Sequence, residues 1–149
     1  MQLAEFITRE AVFFGFEAGD KDAILDAMIN AACAAERIAS RDDVHQAVFE
    51  READRSTGIG RGLAVPHCRS DQVKGFHVGV AVLTEGVDWG ALDDRPVSFI
   101  FLVIGPADKP EAYLQLLSQI SRLIRLPGAT DRLRATTTPD EIIEVIRDL

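Results

Sequence analysis

The stretch VSFIFLVIG, residues 97–105, is a run of β-branched, aliphatic and aromatic residues interrupted only by one serine. A strand with one wet face alternates apolar and polar side chains, and this one does not. It reads as a strand covered on both faces, which obliges the chain to place other elements above and below it. The flanking patterns supply them. FHVGVAVL alternates, with Phe76, Val78, Val80 and Val82 on one face and His77 on the other, as a second strand. Residues 11–17, AVFFGFE, read as a further strand closed by AGD. From Asp20, DKDAILDAMINAACAAE carries a helical stripe of Ile24, Ala27, Met28, Ala31 and Ala35. Ser40 followed by Arg41-Asp42-Asp43 is an N-cap with acidic residues in the first turn. The helix it opens turns Val44, Ala47 and Val48 inward and ends near Arg51.

After the apolar strand, Asp108 with Pro110 just inside starts a helix whose stripe is Tyr113, Leu116, Leu117, Ile120 and Ile124, stopped by Pro127-Gly128. Thr138-Pro139-Asp140-Glu141 starts another, with a threonine cap, proline at the first helical position and glutamate at the third, presenting Ile142, Ile143, Ile146 and Leu149. No repeat and no Pro/Gly/Ser-rich linker divides the 149 residues. The expected architecture is α/β, a three-layer sandwich with a mixed β-sheet flanked by helices, in a single domain over residues 1–149.

The formal net charge of −8 argues against a nucleic-acid partner, since phosphate backbones require an excess of Lys and Arg. The acidity is uneven: from Arg51 to Lys74 five basic residues face three acidic ones, and from Lys109 to Arg134 five face two. Two basic segments in an acidic chain suit convergence on a small anion, or simply solvated faces. No apolar run approaches the ~18 to 20 residues that span a bilayer, so no direct membrane insertion is expected. Met1-Gln2-Leu3-Ala4-Glu5 lacks the basic-then-apolar pattern of a secretory signal, and a cytoplasmic location is expected. Two cysteines, Cys33 and Cys68, make no disulfide framework. A metal site at His67, Cys68 and His77 has neither a CxxC pair nor a His-x3-His spacing behind it, and no metal or organic cofactor is expected.

The chemistry concentrates in STGIGRGLAVPH, residues 56–67. Gly58-Ile59-Gly60-Arg61-Gly62 is GxGxG rather than the dinucleotide GxGxxG, and Gly62 is followed by Leu63, not by the Lys-Ser/Thr of a Walker loop. His67 is the remaining candidate. A neutral imidazole offers a ring-nitrogen lone pair, and a phosphoryl group taken onto it needs donors and positive charge around it. Backbone N–H groups of the glycine turns and an arginine such as Arg51 have the required chemistry. Read from the residues alone, a cluster of turn glycines beside an incidental surface histidine stands equally open.

The same segment resembles the active-site stretch of the enzyme IIA domains of the bacterial phosphoenolpyruvate-dependent phosphotransferase system, in the mannitol/fructose and nitrogen-regulatory class, whose pattern is approximately STGIGxGxAxPH. Arg51-Glu52 and ALDDRPVSFIFLVIGPAD are similar to further parts of that family, and the likeness is clearest from Arg51 to Leu117. The resemblance implies that His67 accepts a phosphoryl group, through Nε2, from an HPr-like phosphocarrier. It implies that Arg51 is the charge partner of that group, and that Ser56, Thr57, Gly58, Gly60 and Gly62 form the phosphate-contacting loop. It further implies transfer to a IIB-type protein or a regulatory acceptor, in sugar uptake or in nitrogen/potassium-type regulation. One residue departs: the family's second active-site histidine, which assists transfer, corresponds here to Tyr113 in EAYLQLL. A phenol donates a hydrogen bond but cannot become a cation. The rival reading is a regulatory protein-binding module in which transfer is weak or lost.

Overall fold

The computed structural model describes residues 1–15, 19–35, 38 and 40–148. Two short 3-10 turns, Leu3–Phe6 and Arg9–Ala11, lead into β1 (Val12–Phe14). Two helices follow, α1 (Lys21–Ala34) and α2 (Arg41–Asp54). Five strands come next: β2 (Gly58–Gly60), β3 (Leu63–Ala64), β4 (His67–Ser70), β5 (His77–Val87) and β6 (Val97–Pro106). Three helices close the chain: α3 (Pro110–Arg125), α4 (Ala129–Arg134) and α5 (Pro139–Asp148).

The six strands form one mixed sheet in the order β1-β5-β6-β3-β2, with β4 also pairing with β6. β5 and β6 are antiparallel and in register from His77 opposite Ile104 to Val82 opposite Phe99. β1 runs parallel to β5, β3 and β4 run parallel to β6, and β2 is antiparallel to β3. The apolar run is thus the central strand, and its pleat explains its composition. Phe99, Phe101 and Val103 face a core built with α3, α5 and the N-terminal turns. Ile100, Leu102 and Ile104 face a second core built with α1 and α2. The expected three-layer α/β sandwich on a mixed sheet is what forms.

Local signals account for three helix starts. Asp20 caps α1 by accepting from the Ala23 N–H at 2.8 Å, Ser40 accepts from Asp43, and Thr138 accepts from Glu141. Several expectations need correction. The buried face of α1 is Ile24, Leu25, Met28, Ile29 and Ala32, a stripe rotated away from Ala27, Ala31 and Ala35. Large side chains go inward where the alanines gave no preference. α2 continues to Asp54 and buries Glu52. α3 is capped by Lys109, not Asp108, and without a side-chain hydrogen bond. Leu123 joins its buried face, while Leu117 is only partly covered. The strand near the N-terminus is Val12–Phe14; residues 16 and 17 of the expected strand, and Leu149, lie outside the described residues. Among the described residues no helix is long and apolar enough to cross a membrane.

Candidate active site

The glycine segment folds into a tight hairpin. Gly60 pairs with Leu63, leaving Arg61 and Gly62 as the two turn residues. Gly60, Arg61 and Gly62 all have positive φ (97°, 59° and 79°). Two-residue turns between right-twisting strands demand positive φ at their centre, and glycine adopts it without strain. The turn is tied down at Arg61. The Arg61 N–H donates to Asp93 at 2.9 Å, and the Arg134 guanidinium donates to the Arg61 carbonyl at 2.6 Å. Those Asp93 contacts, first with the N–H of Arg61 and then with that of Arg95, hold its carboxyl below the usual range.

Beyond the hairpin, Pro66 interrupts the strand direction and its carbonyl accepts the Val103 N–H at 3.0 Å. His67 then begins β4 opposite Val103. The imidazole is half-buried. Its Nδ1 lies 2.6 Å from the Val65 carbonyl, which can only accept, so Nδ1 carries the proton and Nε2 keeps its lone pair. Burial pushes the His67 pKa below its ordinary 6.5; the Val65 hydrogen bond opposes this, the Arg51 charge adds to it and Glu52 opposes it. The result is a neutral ring with a defined tautomer and one nucleophilic nitrogen.

Two further side chains meet His67. The Tyr113 ring, from the first turn of α3, lies with its centroid 6.0 Å from that of His67, tilted by 51°. It is buried, and burial, with Cys68 next in weight, pushes the phenol well above its ordinary range, so it stands as a neutral donor. Gly105 makes the space: a Cβ there would sit 2.7 Å from the Phe76 ring and 3.3 Å from Tyr113. Arg51, at the end of α2, is close enough to weigh on both the His67 and Tyr113 charges, and its Nη1 donates to the Arg55 carbonyl at 2.8 Å.

Behind the site lies a network of which the sequence shows only an adjacent Arg51-Glu52 pair. Glu52 is buried and takes an ion pair from Lys21 at 2.8 Å. It also accepts the Thr57 N–H at 3.3 Å, the Thr57 hydroxyl and the Trp89 Nε1–H at 3.4 Å. Lys21 additionally donates to the Trp89 carbonyl at 3.1 Å and lies 5.1 Å from the Trp89 ring centroid. The brace reaches the histidine in two steps. The Thr57 carbonyl accepts the Val65 N–H at 3.0 Å, and the Val65 carbonyl accepts from His67.

Of the residues singled out from sequence, His67, Arg51 and Tyr113 come together. The loop residues are otherwise engaged. Ser56 Oγ donates to the Trp89 carbonyl at 3.0 Å and accepts the Gly58 N–H at 3.2 Å. Thr57 turns into the Glu52 network. Gly60 faces the Asp93 carboxylate and Gly62 faces Arg134. Cys68 points to the opposite sheet face, where burial raises its thiol to about 12. Among the described residues no group of three His, Cys, Asp or Glu side chains converges to hold a metal.

The fold and the histidine segment have relatives. A fructose-specific EIIA component of Haloferax volcanii is 30% identical over 129 residues, covering 87% of this chain and 84% of that protein. A fructose-specific EIIABC component of Bacillus subtilis is 27% identical over 146 residues, which is 98% of this chain but 23% of that longer protein. The crystal structure of the nitrogen regulatory protein IIA-Ntr from Neisseria meningitidis superposes with a TM-score of 0.90 at 26% identity, covering 97% of this chain and 98% of that one. The family model described as phosphoenolpyruvate-dependent sugar phosphotransferase system, EIIA 2, matches residues 5–149. With that match spanning nearly the whole sequence, the chain belongs to the EIIA 2 family of the phosphotransferase system.

Proposed function

We propose that this protein is a phosphohistidine phosphocarrier that accepts a phosphoryl group from a phospho-HPr-type donor on Nε2 of His67. It then passes the group to a IIB-type protein or a regulatory acceptor. The observation that carries this reading is the 2.6 Å contact of His67 Nδ1 with the Val65 carbonyl, which presents Nε2 as the free nucleophile. The Nε2 lone pair forms the new N–P bond as the donor's N–P bond breaks, and that bond's electron pair returns to the donor imidazole. His67 keeps its Nδ1 proton, so its ring becomes cationic beside the arriving dianion and stays hydrogen-bonded to Val65. Arg51 supplies a cation and Tyr113 a neutral donor. The hydroxyl of Ser56 and the N–H of Gly58 would have to exchange their present partners to touch the phosphoryl group. The N–H groups of Gly60 and Gly62 are the other donors of the loop, and Thr57 serves by holding Val65. Incubation with labelled phospho-HPr should place acid-labile phosphate on wild type and on His45→Ala, and none on His67→Ala. Undiminished label on His67→Ala overturns the reading.

A further inference from the structure

The dianion that arrives at His67 carries more charge than Arg51 alone offsets, and the strand supplies a second cation. Side chains alternate along β4, so His67 and Arg69 share a face while Cys68 points into the opposite core. Arg69 is exposed, and its guanidinium carbon lies 5.5 Å from the centroid of the Tyr113 ring. That ring is the one 6.0 Å from His67. Tyr113 therefore acts as a platform with the imidazole beside it and the guanidinium over it. Arg51 approaches from the end of α2, a separate element. Among the described residues neither Arg51 nor Arg69 is engaged in an ion pair with a carboxylate. Arg51 bears on the His67 charge and Arg69 lies over the ring that adjoins it, so two guanidinium groups flank the half-buried nucleophile in a chain of net charge −8.

We propose that Arg69 is a further catalytic residue, gripping the phosphoryl group as it transfers to His67, with Tyr113 holding the guanidinium in place. The proposal rests on His67 as the acceptor. It gives the tyrosine a purpose: a phenol cannot offer positive charge, but its ring face can position a side chain that does. Guanidinium remains charged at every working pH, whereas a histidine at residue 113 would supply its charge only when protonated. The planar fork also suits two phosphoryl oxygens at once, which a lysine ammonium cannot match.

The test is single-turnover phosphorylation of wild type, Arg69→Ala, Arg69→Lys and Lys74→Ala with two donors, phospho-HPr and the small molecule phosphoramidate. The small donor removes protein docking from the comparison. Arg69→Ala should be slower by roughly tenfold with both donors, the loss of one charge-assisted hydrogen bond. Arg69→Lys should recover part of the rate, and Lys74→Ala, an exposed cation outside the site, should match wild type. Slowing of Arg69→Ala with phospho-HPr alone overturns the proposal and makes Arg69 a docking contact. Equal rates for Arg69→Ala and wild type with both donors overturn it while leaving His67 as acceptor. Absence of label on wild-type His67 from either donor overturns both.

Discussion

Replacing Glu52 by glutamine tests the brace behind the candidate active site. The carboxylate faces four donors: Lys21, the Thr57 N–H, the Thr57 hydroxyl and the Trp89 indole. A glutamine side chain keeps one acceptor oxygen with two lone pairs and turns an NH2 toward the others. Lys21 keeps the Trp89 carbonyl and the indole keeps the Thr57 hydroxyl oxygen, but the Thr57 donors then compete for one oxygen and the lysine loses its counter-charge. A buried donor left without a partner costs ~1–3 kcal/mol, and breaking a buried ion pair costs ~3–5 kcal/mol. The lysine side chain retains 23% exposure and can recover water, so the low end applies. We expect about 3 kcal/mol. For a chain of this size each kcal/mol lowers Tm by ~2–4 °C, so the variant should melt roughly 6–12 °C below wild type.

Circular dichroism melts measure that loss, and the imidazole reports whether it reaches the site. The path runs from Glu52 through Thr57 and Val65 to His67 Nδ1, so loosening its first link should speed exchange of the His67 Nδ1 proton, seen by NMR. Adding Lys21→Met to Glu52→Gln removes the cation left without a partner and should restore part of the stability. A wild-type melting temperature in Glu52→Gln would refute the reasoning, because a carboxylate with these partners cannot be exchanged at no cost.

Two other outcomes are expected. The His67 ring should titrate below 6.5 by NMR, because burial disfavours its charged form; between the two midpoints the unfolded chain binds the extra proton, so this residue lowers stability as pH falls through 6.5, and His67→Ala should lose that part of the acid sensitivity. Gly105→Ala should force the Phe76 and Tyr113 rings apart, since the new methyl would lie 2.7 Å from one and 3.3 Å from the other. Overpacking of this kind costs ~1–3 kcal/mol, so both a lower Tm and slower His67 phosphorylation should follow, whereas unchanged values would mean that the rings yield freely.

How legible this molecule is in its sequence depends on how local each signal is. The strand at 97–105 declares burial on both faces through composition alone, and capping residues mark helix starts because a cap is a contact across three positions. The face of α1 was less legible, since alanines fit either the core or the boundary and only packing against β5 and α2 chooses. The glycine cluster suits a ligand loop and a two-residue turn alike, because both draw on positive-φ residues and the one-letter pattern is common to both. Glu52 looks like any helix-surface carboxylate until the fold brings up Lys21 and Trp89 from either side of it in the chain. Arg69 is similar: in sequence it is one of five basic residues, and only the docking of α3 places Tyr113 beneath its guanidinium. The histidine itself is readable, yet its reactivity is not. Proline and glycine announce a constrained approach to residue 67, but the nucleophilic nitrogen is chosen by the Val65 carbonyl, a backbone atom that every residue possesses and whose direction is a property of the fold. The division has a physical basis: a side chain's type limits what chemistry is available, while neighbours distant in sequence decide its protonation, its tautomer and the charge facing it.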